Sequence, residues 1–103
     1  MRHFFRSHVT PAEAIEAADA FFRELGMKVI ATAARVRTFE GVVGTPEVMS
    51  RLRLTARPEG GHYTFVEAHT DQMGESRLDR NVKRFFVSLH REDDSRHALE
   101  ASY

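Results

Sequence analysis

The sequence predicts an α+β domain in which two helices pack on one face of a curved antiparallel sheet of about five strands. Three observations indicate this class: a capped amphipathic helix near the start, a middle region rich in β-branched residues, and a phenylalanine-rich amphipathic helix near the end. The predicted order is β-α-β-β-β-β-α. A chain of 103 residues fits one domain, which we place at residues 1–91, followed by a C-terminal tail at 92–103.

The first helix is the clearest element, because start and stop signals bracket it. Thr10 is predicted as the N-cap, Pro11 as the first helical residue and Glu13 as the third, which completes a capping box. Gly26 follows the last turn, where glycine adopts the left-handed conformation at little cost. An apolar stripe recurs between them at helical spacing: Ala14, Ile15, Ala18, Phe21, Phe22 and Leu25.

Strands are predicted on both sides of this helix, since alternation and β-branched residues mark them. Their ranges are His3–Val9, Met27–Ala33, Val36–Val43, Glu47–Arg57 and His62–Thr70. The last two form a hairpin around a Pro-Glu-Gly-Gly turn. The boundary between the second and third strands is the least marked, because neither glycine nor proline separates them.

A second helix is predicted to start after Ser76, with Asp79 at the third helical position as its capping partner. Its apolar face comprises Leu78, Val82, Phe85, Phe86 and Leu89. Its other side carries Arg77, Arg80, Lys83, Arg84 and Arg91, which we interpret as a solvated helix face. Periodicity is lost from Glu92 onward, so the tail is expected to be frayed or disordered.

Composition excludes several functional classes. The formal net charge of zero argues against a dedicated non-specific nucleic-acid binder. The absence of cysteine removes disulfides, thiolate metal sites and cysteine nucleophiles, and it fits a cytoplasmic protein. No apolar run is long enough for a membrane span or a signal peptide.

The predicted outer face of the sheet, opposite the helices, is the main functional clue. Alternation along the hairpin places a mixture of arginines and large side chains there, and we take these as candidate ligand-binding or interface residues: Arg51, Arg53, Tyr63, Phe65, Glu67 and His69. Phe4, Arg6, His8 and Met49 are expected on the same uncovered face. Exposed apolar patches mark interfaces or ligand sites, so we expect a homodimer through this face. The alternative is that the two faces are exchanged and the aromatic residues form the core.

Evidence for catalysis is weak, so the sequence favours a non-enzymatic domain. No H-x-x-x-H or H-E-x-x-H motif occurs, and we assign no catalytic residue, metal ligand or cofactor. Glu67, His69 and Asp71 lie two residues apart on one strand face, where a trio of this kind could perform acid–base chemistry. A solvated strand face is the commoner explanation, although Glu67 could hold His69 in one tautomer.

The element order resembles a minimal helix-grip domain. The segments HVTPAEAIEAADAFFRELG, RLRLTARPEGGHYTFVEAHT and SRLDRNVKRFFVSL are similar in arrangement to the polyketide-cyclase-like (SRPBCC, START-related) superfamily and to one repeat of TATA-binding protein. The resemblance implies a sheet that grips a long C-terminal helix. It also implies two alternative functions: binding of a hydrophobic small molecule or lipid, or nucleic-acid contact through the arginine and aromatic face.

Overall fold

The computed structural model describes residues 1–44, 48–61, 63–72 and 76–101, with the side chains of Val48 and residues 93–101 left aside. The fold is α+β, as predicted, with an open five-stranded antiparallel sheet and two helices. The elements in chain order are β1 (Arg2–Ser7), α1 (Pro11–Glu24), β2 (Lys28–Ala33), β3 (Val36–Val43), β4 (Val48–Glu59), β5 (Tyr63–Thr70) and α2 (Arg77–Ala101). The strand order across the sheet is β1-β5-β4-β3-β2, so β1 and β2 form the edges.

The start and end of α1 confirm the predicted signals. The Thr10 hydroxyl accepts a hydrogen bond from the backbone N–H of Glu13 at 3.2 Å, and the Glu13 carboxylate accepts one from the Thr10 N–H at 3.2 Å. Gly26 adopts a φ of 98°, which explains the glycine at this position. The capping box therefore fixes where the chain turns from β1 into the helix.

The boundary between β2 and β3 lies where it was predicted, and Arg35 explains why no glycine marks it. This arginine adopts a φ of 66° in the turn, a conformation that glycine usually supplies. Its carbonyl accepts a hydrogen bond from the Ala56 N–H at 2.9 Å. A tertiary contact to β4 therefore holds a turn that the local sequence does not specify.

One apolar core fills the space between the sheet and the helices. Phe22 of α1 is fully buried, with its ring centroid 5.2 Å from that of Phe39 on β3 and 5.4 Å from that of Phe85 on α2. The small side chains of β4 and β5, among them Ala56 and Ala68, are also fully buried and let the helices approach closely. The predicted assignment of faces along the hairpin is thus confirmed, and the exchanged arrangement is wrong.

Helix α2 follows β1 along the sheet edge. The Asp79 carboxylate, in its first turn, contacts His3 near the start of β1, while Phe86 and His90 contact Phe5 further along the strand. The helical backbone continues to Ala101, through residues for which the sequence pattern predicts fraying. Ser102 and Tyr103 lie outside the described residues. The domain boundary after residue 91 stays a prediction.

Candidate functional site

The outer face of the sheet, which the helices leave uncovered, is organised in cross-strand rows. In one row, the antiparallel register places Arg6 of β1 and Arg57 of β4 on either side of Phe65 of β5. Four residues away on each strand, Arg2 and Arg53 flank His69 in the same way. Because directly opposite residues in a sheet lie about 5 Å apart, each central ring has an arginine beside it on both neighbouring strands.

The Phe65 ring is covered by the side chains of Arg6, Arg57 and Phe4. The Cζ atom of Arg57 is 4.8 Å from the centre of the ring and that of Arg6 is 5.7 Å from it, both within the range of cation–π attraction. The ring of Phe4 stacks on it at a centroid distance of 5.8 Å. Only 7% of Phe65 is exposed, so the expectation that this aromatic is uncovered was wrong. Arg6 and Arg57 cover the Phe65 ring, which the sequence pattern predicts to be exposed to solvent.

Glu67 lies between the two rows and contacts two members of the second. Its carboxylate is hydrogen-bonded to Nε2 of His69 and lies 3.1 Å from Nε of Arg2. The hydrogen bond from His69 is the main reason why the pKa of Glu67 is below its ordinary value; partial burial opposes this shift and the charge of Arg2 adds to it. The predicted contact between Glu67 and His69 is therefore present. Asp71, the third member of the trio, instead accepts hydrogen bonds from the Arg51 N–H and the Gln72 side chain.

The arginines outnumber the carboxylates on the described outer face. Each of its glutamates already contacts an arginine of the same face: Arg2 with Glu67 at 3.1 Å, Arg51 with Glu40 at 3.1 Å and Arg6 with Glu59 at 3.4 Å. Within the described part of the chain, no carboxylate lies within ion-pair distance of Arg53 or Arg57. The face therefore carries an excess of positive charge, although the chain as a whole is neutral.

Large apolar side chains also remain exposed on this face. Phe4 and Met49 are each 59% exposed, Tyr63 is 45% exposed and Val42 is 44% exposed. Met49 and Val42 are opposite each other in the β3–β4 register. The Tyr63 ring lies 4.9 Å from that of His8. All six candidate residues predicted from the sequence point to this one surface, with Tyr63 near one end and Arg51 near the other.

A second polar cluster, between β1 and α2, was not predicted. The carboxylate of Asp79 is fully buried and lies 2.7 Å from Nε2 of His3, 2.9 Å from the Thr70 hydroxyl and 2.6 Å from the Ser76 hydroxyl. Burial raises the pKa of Asp79 and is the largest single effect, but the hydrogen bonds from Ser76, His3 and Thr70 together lower it below its ordinary value.

The Ser76–Asp79 capping box is the only signal of this cluster in the sequence. His3 is too distant along the chain to be connected with it. The Ser76 hydroxyl contacts the carboxylate rather than the imidazole, so the cluster lacks the nucleophile-to-base contact of a catalytic triad. We regard it as the structural link that fixes the start of α2 on β1.

Metal binding and an enclosed ligand cavity find no support in the described residues. Within them, no three histidine or acidic side chains are grouped closely enough to hold a metal ion. His62, one of the histidines considered above, lies outside the described residues. A concavity of about 410 Å³ opens at the surface between the start of α1 and the β2–β3 turn, and Arg35 and Arg37 line its rim. Arg37 is already bound by Asp19 and by the carbonyls of Ala33 and Val36.

Comparison with known proteins adds no relative. No protein-family model matches the chain, and no curated protein matches it. The resemblance to the SRPBCC superfamily and to a TATA-binding-protein repeat stays a prediction from the sequence. None of the helices in the described part of the chain is both long and apolar enough to cross a membrane.

Proposed function

We propose that the protein is a small non-enzymatic interaction domain and that the outer face of its sheet binds the partner. One observation carries this proposal: the helices cover one face of the sheet only, and the other keeps Phe4 and Met49 59% exposed among arginines. Arginine and aromatic residues are enriched in the buried centres of protein interfaces, where charged lysine and glutamate are depleted.

A second copy of the chain is the partner that we propose. A two-fold axis lets one surface serve on both copies, so a single patch is enough to form a closed dimer. Phe4, on the edge strand β1, provides an apolar anchor that stacks on the covered ring of Phe65. Arg53 and Arg57 supply donors for carboxylates of the other copy.

The geometry favours this function over binding of a hydrophobic small molecule. The resemblance to SRPBCC-like domains implies a ligand enclosed between the sheet and the long helix. Here, that space is occupied by fully buried side chains such as Phe22, Leu54, Val66 and Phe85. A ligand would have to displace close-packed core residues, which costs stability.

Sedimentation velocity across a micromolar concentration series tests the proposal. The parent is expected to dimerise, and Phe4→Glu and Met49→Glu are each expected to shift it to monomer, because each buries an unpaired charge at the interface. Val87→Glu is the matched control, since Val87 is 50% exposed but lies on α2 and not on the sheet.

A parent that stays monomeric at every concentration would contradict the homodimer. A dimer that all three variants leave intact would contradict the assignment of the outer face, because another surface must then hold the two copies together.

A further inference from the structure

We propose that the concavity between the start of α1 and the β2–β3 turn binds a small organic monocarboxylate, whose carboxylate group is held by Arg35. The concavity lies on the helix side of the sheet, so it is a second site and does not depend on a dimer through the outer face. Its evidence is the size of the concavity, the residues that line it and the contacts of its two arginines.

The concavity has the size and lining of a small-molecule site. Its volume is about 410 Å³, within the range of ligand pockets. Both charged residues that line it are arginines, and no acidic residue of the described chain lines it. Most of the remaining wall is apolar, formed by Pro11, Ala12, Ile15, Ala33 and Ala34. The lining therefore suits an apolar body that carries a negative charge.

Arg37 is a fixed part of this wall. Its Nη1 atom donates hydrogen bonds to the carbonyls of Ala33 and Val36, each at 3.0 Å, and its Nε atom lies 3.4 Å from the carboxylate of Asp19. These contacts join the side chain to both strands of the β2–β3 hairpin and to α1. Asp19 also offsets the charge of Arg37, so the pair adds no net charge to the site.

Arg35 provides the positive charge that remains. It is exposed, and no carboxylate of the described chain lies within ion-pair distance of its guanidinium. Glycine adopts its backbone φ of 66° at lower cost, so the turn itself does not require an arginine side chain. The hydrogen bond from the Ala56 N–H to the Arg35 carbonyl fixes the backbone beside β4. The residue is therefore anchored, and its guanidinium is available for a bidentate contact with a carboxylate.

The charge of the site selects a singly charged ligand. A carboxylate neutralises the remaining charge of Arg35, whereas a doubly charged phosphate monoester leaves one negative charge unpaired. The start of α1 contributes little to anion binding, because the capping box already engages the N–H groups of Thr10 and Glu13. The apolar walls favour a ligand with a short hydrocarbon body over acetate or inorganic phosphate. A short-chain or aromatic monocarboxylate meets these requirements.

Amide NMR titration of the full-length chain with hexanoate and benzoate tests the inference. Both probes are expected to shift the N–H signals of Ala12, Ala34 and Arg35 in a saturable way, because these residues line the concavity. Hexanamide and benzamide have the same bodies without the charge, while acetate and inorganic phosphate have the charge without the body. Each of these four is expected to bind at least about tenfold more weakly, since it lacks either the charge-assisted hydrogen bonds or the buried hydrocarbon.

Replacing Arg35 separates ligand binding from folding. Arg35→Gln is expected to weaken hexanoate binding at least about tenfold, because the charge-assisted pair is lost. Arg35→Gly should weaken binding equally while leaving the melting temperature unchanged or higher, since glycine suits a φ of 66°. Arg80→Gln is the matched control: it removes an exposed arginine of α2 that does not line the concavity, and hexanoate affinity is expected to stay within about twofold of the parent.

The inference is overturned if neither probe gives saturable shifts at the concavity, or if Arg35→Gln binds hexanoate as tightly as the parent. Equal affinity for hexanoate and hexanamide would show an apolar site that does not recognise the anion. Tighter binding of inorganic phosphate than of hexanoate would show a phosphate site, and either result contradicts the monocarboxylate assignment. None of these readouts depends on the oligomeric state of the parent, so failure here and failure of the proposed dimer are distinguishable.

Discussion

The two faces of the same five strands have opposite roles, and the comparison between them explains the organisation of the molecule. The inner face is made mainly of small and aliphatic side chains that are almost fully buried, such as Leu52 and Val66, together with the buried ring of Phe39. The outer face carries arginines that cover one ring and leave another exposed. Because successive residues of a strand point to opposite sides, one stretch of sequence specifies both faces. The inner set determines the fold, and the outer set remains available for binding.

The comparison predicts the largest loss of stability in the core on the inner side of the sheet, where the adjacent residues Phe21 and Phe22 differ in burial. Phe22 is fully buried against Phe39 and Phe85, while Phe21 is partly buried at the helix surface. Phe22→Ala is expected to lower the free energy of unfolding by about 3–5 kcal/mol, as for a core truncation. Phe21→Ala should cost clearly less. Urea denaturation of both variants measures the difference, and equal losses would show that the two rings are equally important to the core.

The second prediction concerns the buried carboxylate of Asp79, which joins α2 to β1 on the inner side of the sheet. Asp79→Asn keeps the shape of the side chain but leaves donors from Ser76, His3 and Thr70 competing for one neutral oxygen, so a loss of about 1–3 kcal/mol in unfolding free energy is expected. Because the folded-state pKa is lowered, the contribution of Asp79 is present above its ordinary pKa of 3.8 and is lost as the pH falls through the folded value. The parent should therefore lose stability more steeply than the variant below about pH 4. Parallel pH curves would contradict this assignment.

The smallest effect is expected at Phe4 on the outer face, where burial again separates two phenylalanines. Phe65→Ala is expected to cost about 1.5–3 kcal/mol, since the ring is covered by Arg6, Arg57 and Phe4. Phe4→Ala should change the unfolding free energy of the monomer by less than about 0.5 kcal/mol, because its ring is 59% exposed. Denaturation at dilutions that hold the protein monomeric compares them. A larger loss for Phe4→Ala would indicate that Phe4, not Phe65, organises the face.

Much of the fold could be predicted because its signals are local. The capping residues of α1, the alternation of the β4–β5 hairpin and the helical spacing of Leu78, Val82 and Phe85 each depend on residues a few positions apart. The predicted α1, the hairpin strands and the start of α2 agree with the structure to within a few residues, whereas α2 continues to Ala101, past the point where the pattern predicts fraying. The β2–β3 turn was located without a glycine because the strand patterns on both sides were clear. Its left-handed Arg35 was not foreseen, since a contact with Ala56 holds it.

By itself, the sequence determined the class of fold, the order of its elements and the set of six residues that share the outer face, because period-two and helical patterns specify the direction of each side chain. Only the tertiary structure decided which of these residues are neighbours. Strand register places Arg6 and Arg57 on either side of Phe65, and the packing of α2 on β1 brings His3 to Asp79. These contacts join residues that are distant along the chain, and no local pattern encodes a distance between them.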